Sequence, residues 1–201
     1  VLPDNIEYDE IKHQIKSHTT PGPGKAVSVP GHGDATETKF ESDLYDVFCD
    51  QHARILDFVK FKAGEIERRL EHLNRQLRSR LELDSEFSAD TIFSKRSGVY
   101  GRIESSVLRV GNDIKSLSRY IGAQQLGFVK LLKKYRKWTS SAGLEQRFKD
   151  QVISKPNSLW KADLTYLLEL WTDVLTAVRA STLNARHRAS CPASPVPKFD
   201  P

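Results

Sequence analysis

The chain has 201 residues, with 31 Lys and Arg against 26 Asp and Glu, giving a formal net charge of +5. That length can bury one core of ordinary size, and 38% hydrophobic with 28% charged residues is polar for a globular chain without matching a disordered one. No apolar run approaches the roughly 20 residues of a membrane-spanning helix, the acidic start VLPDNIEYDE is no signal peptide, and two cysteines, Cys49 and Cys191, cannot form a disulfide framework.

A transmembrane segment and a secreted disulfide scaffold are therefore excluded, and a reducing, cytoplasmic setting is expected. The sequence has no methionine, so Val1 is not an initiator position and the chain is expected to be a fragment.

Taken in chain order, Asp4 to about Ser17 predicts a short helix, with Asp4 as N-cap and Glu7 three residues on. The Pro- and Gly-rich stretch PGPGKAVSVPGHGDA excludes regular structure, so residues 19–37 are expected to be a variable loop. Thr38 with Glu41 forms a capping box ahead of a long apolar series. Phe40, Leu44, Phe48, Ile55, Val59, Ile66, Leu70, Leu73, Leu77 and Leu81 fall mostly three or four residues apart, which predicts one helix of roughly 45 residues. DSEFSADTIFSKRS, residues 84–97, reads as the connection.

A second long helix follows, its seam of Ile103, Val107, Val110, Ile114, Leu117 and Ile121 alternating four and three. It continues to Trp138 and is stopped by TSSAG, with Gly143 as a left-handed cap. A short segment at 144–154 and a helix over about 158–180 close the fold, the latter burying Leu164, Leu167, Leu168, Trp171, Val174 and Val178. No strand pattern exists. The expected fold is all-α: a helical bundle of two long antiparallel helices, a short N-terminal helix and closing C-terminal helices. The expected domain spans 1–182, and the proline-rich 183–201 reads as a flexible tail.

Charge is unevenly spread. Between Asp113 and Glu145 stand Lys115, Arg119, Lys130, Lys133, Lys134, Arg136 and Lys137 with no acidic residue among them. These seven charges exceed the whole-chain excess, so the basic character is local. Lys130, Lys133, Lys134 and Lys137 occupy one helical stripe about 100° wide, opposite Phe128, Leu131, Leu132 and Tyr135. Like charges at these spacings repel, and a polyanion that neutralises them explains the stripe as well as a solvated lysine face does.

Other constellations carry less. Cys49 and His52 have a C-x-x-H spacing but no second pair for zinc, so Cys49 reads as core or half-buried. PGPGKAVS lacks the full phosphate-loop pattern. No nucleophile–base arrangement and no cofactor motif is present, so no catalysis, metal or cofactor is expected.

Two segments carry a resemblance to a known family. Ile6-Glu7-Tyr8-Asp9-Glu10-Ile11-Lys12-His13 resembles the Tyr-x-x-Leu-Lys-Lys motif of SPX domains. Gly127-Phe128-Val129-Lys130-Leu131-Leu132-Lys133-Lys134-Tyr135-Arg136-Lys137 is similar to that family's Gly-Phe-x-Lys-Ile-x-Lys-Lys-His-Asp-Lys signature. His13 stands where a second Lys is usual, Arg136 replaces the usual Asp, and the family's opening Met-Lys-Phe segment is not in this sequence.

The resemblance implies a helical module that binds inositol polyphosphates, such as inositol hexakisphosphate, and inositol pyrophosphates. It would report phosphate status to an attached effector domain or a regulated partner protein. By the same resemblance, Tyr8, Lys12 and Lys134 correspond to the phosphate-binding cluster, with Lys130, Lys133 and Lys137 as the surrounding lysine surface. The alternative is a helical interaction module that places the stripe on acidic membrane headgroups or acidic partner proteins. Nucleic acid is disfavoured, because the stripe is short and lacks evident stacking aromatics.

Overall fold

The computed structural model describes residues 5–19, 35–86 and 93–190, and all regular structure among them is helical. In order these are α1 (Tyr8–Thr19), α2 (Ala35–Glu86), α3 (Phe93–Thr139), α4 (Gly143–Phe148), a π-helical turn (Lys149–Ile153), a 3₁₀ turn (Leu159–Lys161) and α5 (Thr165–Ser190). The chain divides into two compact units, one of Val1–Lys62 with Ser116–Asp163 and the other of Ala63–Lys115 with Leu164–Pro201.

In the first unit, Phe48 of α2 meets Phe128 of α3 and Phe58 meets Tyr120. Numbers rise along α2 as they fall along α3, so the two helices are antiparallel here. The centre is aromatic: the rings of Phe48, Phe128 and Phe148 lie within 5.8 Å of one another, and Trp160 sits 5.8 Å from Phe128. Helix α1 adds the buried Ile11 and Ile15, and His18 near its end stacks on Phe40 at 3.7 Å.

The second unit is mainly aliphatic, with Tyr100 also buried. Ile66, Leu70, Leu73 and Leu77 of α2 and Ile103, Val107, Val110 and Ile114 of α3 are all buried, as are Leu167, Val174, Leu175 and Val178 of α5. These are the three-and-four-spaced positions of the sequence, and burying each large aliphatic contributes about 1.5–3 kcal/mol. Trp171 of α5 donates its indole N–H to the Val107 carbonyl at 2.9 Å. Its ring lies over Gly111, where an added Cβ would meet the indole at 2.7 Å. Only glycine allows that close approach.

Several boundaries differ from the sequence reading. Helix α1 begins at Tyr8, and the Ile11 amide bonds the Glu7 carbonyl at 3.0 Å; Asp4 lies outside the described residues. Helix α2 begins at Ala35, placing Thr38 inside its first turn, and the Glu41 carboxylate is engaged by the hydroxyls of Tyr135 and Ser141. The expected loop at 19–37 therefore gives up both ends to helix, and the rest of it, 20–34, is outside the described residues.

The polar stretch 84–97 is largely absorbed too, since α2 runs to Glu86 and α3 starts at Phe93. The left-handed residue after α3 is Ser140, at φ 57°, whereas Gly143 opens α4. Leu81 and Leu168, expected inside, are exposed at 41% and 44%. Helix α5 continues to Ser190, past the end at 182 expected for the domain; residues 191–201 lie outside the described set.

Candidate functional site

The proposed binding residues all belong to the first unit. Helix α3 buries Phe128, Leu131, Leu132 and Tyr135, and this forces Lys130, Lys133 and Lys137 to the surface with Lys134 half-buried at the stripe's edge. On α1, Tyr8 and Lys12 are one turn apart, both half-buried, flanking the face that buries Ile11 and Ile15.

The two helices meet through Lys134. Its Nζ lies 5.5 Å from the centre of the Tyr8 ring and 6.0 Å from that of Trp138, so the ammonium is attracted by both π faces. The structure thus brings Tyr8 and Lys134 together directly. Lys12 is associated with them by its register on α1, and Lys130 and Lys137 by theirs on α3. Lys12 sits 3.7 Å from Asp9, a carboxylate 92% exposed, and such a pair contributes little.

The stripe is not uniform. Glu145 of α4 returns to it, its carboxylate 3.0 Å from Arg136 and 2.8 Å from Lys149. The hydrogen bond from Lys149, with the charges of Lys149, Arg136 and Lys133, holds that carboxyl below the usual range against the opposing effect of burial. One side of the stripe is therefore compensated by a residue that the linear charge pattern had placed beyond it. Among the described residues no carboxylate pairs with Lys130, Lys134 or Lys137.

What positions α1 is a polar tether with no signature in the sequence. The Ile6 amide donates to Gln124 Oε1 at 2.9 Å, and Gln124 Nε2 donates to Asn5 Oδ1 at 2.8 Å. The Glu7 amide donates to Gln51 Oε1 at 3.2 Å, and Gln51 Nε2 returns a bond to the Glu7 carboxylate at 3.1 Å. Arg54 Nη2 donates to the Asn5 carbonyl at 2.8 Å. Both glutamines are buried, so these bonds replace the water each amide would otherwise lose. Gly127 admits Ile6, whose Cγ2 stands 3.0 Å from where a Cβ would be.

Trp138 is the residue that sequence reading missed. It looked like the last apolar position of α3, yet it is 37% exposed and faces Lys134; its i+4 spacing from Lys134 was the available signal. Cys49 is half-buried as expected. His52 is a buried core residue, accepting the Leu159 amide at Nε2 (3.0 Å), and burial pushes its pKa below the usual 6.5. Among the described residues no three His, Cys, Asp or Glu side chains group as metal ligands, and no helix is long and apolar enough to cross a membrane. The assembled groups are lysine ammoniums and a tyrosine hydroxyl with no carboxylate among them, an arrangement that can hold a multiply charged anion.

No protein-family model matches the chain, and no curated protein matches it. Among solved structures it is similar to the SPX domain of Chaetomium thermophilum glycerophosphodiester phosphodiesterase 1 in complex with inositol hexakisphosphate. The TM-score is 0.59 and the identity 16%, over 90% of this chain and 90% of that one. At that identity the likeness concerns the fold, and it extends over nearly the whole chain.

Proposed function

We propose that this chain, which has the SPX-domain fold, is a non-catalytic module that binds inositol polyphosphates and pyrophosphates through Tyr8, Lys12, Lys130, Lys133, Lys134 and Lys137. Its occupancy regulates an attached or recruited effector in cytoplasmic phosphate signalling. The observation that carries this reading is the seat of Lys134, between the rings of Tyr8 and Trp138 with no carboxylate partner among the described residues. Support also comes from the similar structure, which was solved with inositol hexakisphosphate bound.

The chemistry fits such a ligand. Lysine ammoniums are compact charges on flexible stems and can meet a densely phosphorylated ring from several directions, while the Tyr8 hydroxyl adds a directional donor. Charge-assisted hydrogen bonds contribute about 1.5–3 kcal/mol each, so a few suffice for micromolar binding after entropy losses.

Titration calorimetry with inositol hexakisphosphate tests the reading. Lys134→Ala is expected to weaken binding by about 1.5–3 kcal/mol while lowering stability by no more than about 1 kcal/mol, since the lost contacts with Tyr8 and Trp138 are partly offset by relieved repulsion. Tyr8→Phe costs less, and Lys115→Ala, outside the stripe, has little effect. Wild-type affinity in the Lys134→Ala variant, or binding to anionic vesicles without binding to free ligand, would overturn the proposal.

A further inference from the structure

The second unit carries its own cationic feature, independent of the lysine stripe. A groove of about 600 Å³ is lined by residues of α2 and α3, among them His72, Arg75 and Arg80 from α2 and Val99, Arg102 and Ile103 from α3. Among the described residues lining it there is no carboxylate.

Two other arginines of this unit meet carboxylates, Arg69 with Asp113 at 2.6 Å and Arg179 with Glu104 at 3.0 Å. Those of the groove do not. Among the described residues no carboxylate pairs with Arg75, Arg80 or Arg102. Arg80 Nε is buried without a hydrogen-bond partner. Arg102 uses only its Nε, at 3.3 Å on the Gly98 carbonyl, so its two terminal nitrogens remain for a ligand. His72 Nε2 lies 2.9 Å from Gln76 Nε2, which leaves its other ring nitrogen available.

Arginines that line one groove without a paired carboxylate repel one another, weakly where water screens them, and the buried Arg80 Nε without a partner is costly. An oxyanion entering the groove relieves both. Guanidinium forks match planar pairs of oxygens, as on phosphate, and three of them from two helices match a ligand with more than one phosphoryl group.

We infer that this groove is a second anion-binding site, specific for ligands carrying two or more phosphoryl groups and read by arginine rather than lysine. The ligand is either a free polyphosphorylated molecule or a polyphosphorylated lipid headgroup, since both present the same oxygens.

The test uses the full chain with Lys130, Lys133, Lys134 and Lys137 all replaced by Ala, so that the stripe contributes nothing, and inorganic tripolyphosphate as the probe. One saturable site is expected by calorimetry. Adding Arg75→Gln with Arg80→Gln should weaken it about tenfold or more, whereas Arg78→Gln, on the same helix outside the groove, should leave it nearly unchanged. Citrate, a carboxylate anion of comparable charge, should bind at least about tenfold more weakly.

Circular dichroism checks the fold of each variant, and Arg102→Gln alone supplies an independent loss from the other wall. Vesicles of phosphatidylcholine doped with phosphatidylinositol bisphosphate form a second arm, and stronger arginine-dependent binding there than to tripolyphosphate assigns the headgroup source. Tripolyphosphate affinity that ignores Arg75, Arg80 and Arg102, or equal binding of citrate, overturns the site. Inositol hexakisphosphate binding by the Arg75→Gln/Arg80→Gln chain with its lysines intact reports separately on the stripe.

Discussion

The two units are cored in different ways although α2 and α3 contribute to both. The second is a mainly aliphatic seam, in which most buried positions are Ile, Leu and Val at heptad-like spacing, with Tyr100 the buried aromatic and Ser181 the buried polar residue among those described. The first is built on aromatic rings and encloses Gln51, His52, Gln124 and Ser158, four of the five buried polar residues in the described chain. Each of those four makes a hydrogen bond, mostly to backbone outside the long helices: Gln51 and Gln124 to 5–7, His52 to Leu159, and Ser158 to Trp160. An aliphatic seam can only hold helices together. Fixing a non-helical segment takes buried polar groups, and the candidate site is found where such segments are fixed.

Substitutions that act on one core and not the other break this comparison most sharply. Ile114→Asp introduces a carboxylate at a position 1% exposed, with no partner in the seam, and should cost at least about 4 kcal/mol, enough to unfold a marginally stable chain. Leu73→Asp should behave alike. Urea denaturation followed by circular dichroism measures this, and near-native stability in both variants would mean the seam is misphased.

A smaller effect is expected for Gly111→Ala, because its Cβ would press on the Trp171 indole at 2.7 Å. The loss should be about 1–3 kcal/mol, accompanied by a change in Trp171 environment without any change in the affinity for inositol hexakisphosphate.

The smallest effect belongs to the aromatic core and depends on pH. Burial holds His52 neutral, with a folded-state pKa below 6.5. Below 6.5 the unfolded chain takes up a proton that the folded chain resists, so stability falls as pH drops through that window and is unaffected above it. His52→Gln should flatten the dependence of the urea midpoint between about pH 7.5 and about pH 5.5. An unchanged slope would assign the acid sensitivity to other groups.

Legibility in the sequence followed periodicity. The seam of Ile103, Val107, Val110, Ile114, Leu117 and Ile121 could be read directly, because periodic burial leaves a periodic trace, and every one of those residues is buried. The lysine stripe was legible for the same reason, since its outward direction follows from the inward direction of Phe128, Leu131 and Tyr135. The approach of Tyr8 to Lys134 was not readable from either helix by itself; only the resemblance of the two segments to one family paired them.

The tether through Gln51, Gln124 and Arg54 left no trace, because a glutamine on a helix reads as surface until a specific backbone amide meets it. Element ends were shifted for a related reason. Polar stretches such as 35–37 and 84–86 look like breaks in the sequence, yet once a long helix is held by its core it can propagate through polar residues at little cost per residue.

The three tryptophans of the chain sit in three unlike settings. Trp171 donates to a backbone carbonyl beside Gly111, Trp160 is stacked 6.2 Å from the His52 imidazole, and Trp138 is partly in water with the Lys134 ammonium near its face. Indole emission is sensitive to hydration and to nearby charge, so the molecule contains a separate optical channel for the aliphatic unit, the aromatic core and the lysine stripe. Variants keeping one tryptophan at a time would report local opening of each region in its own fluorescence, without any label being attached.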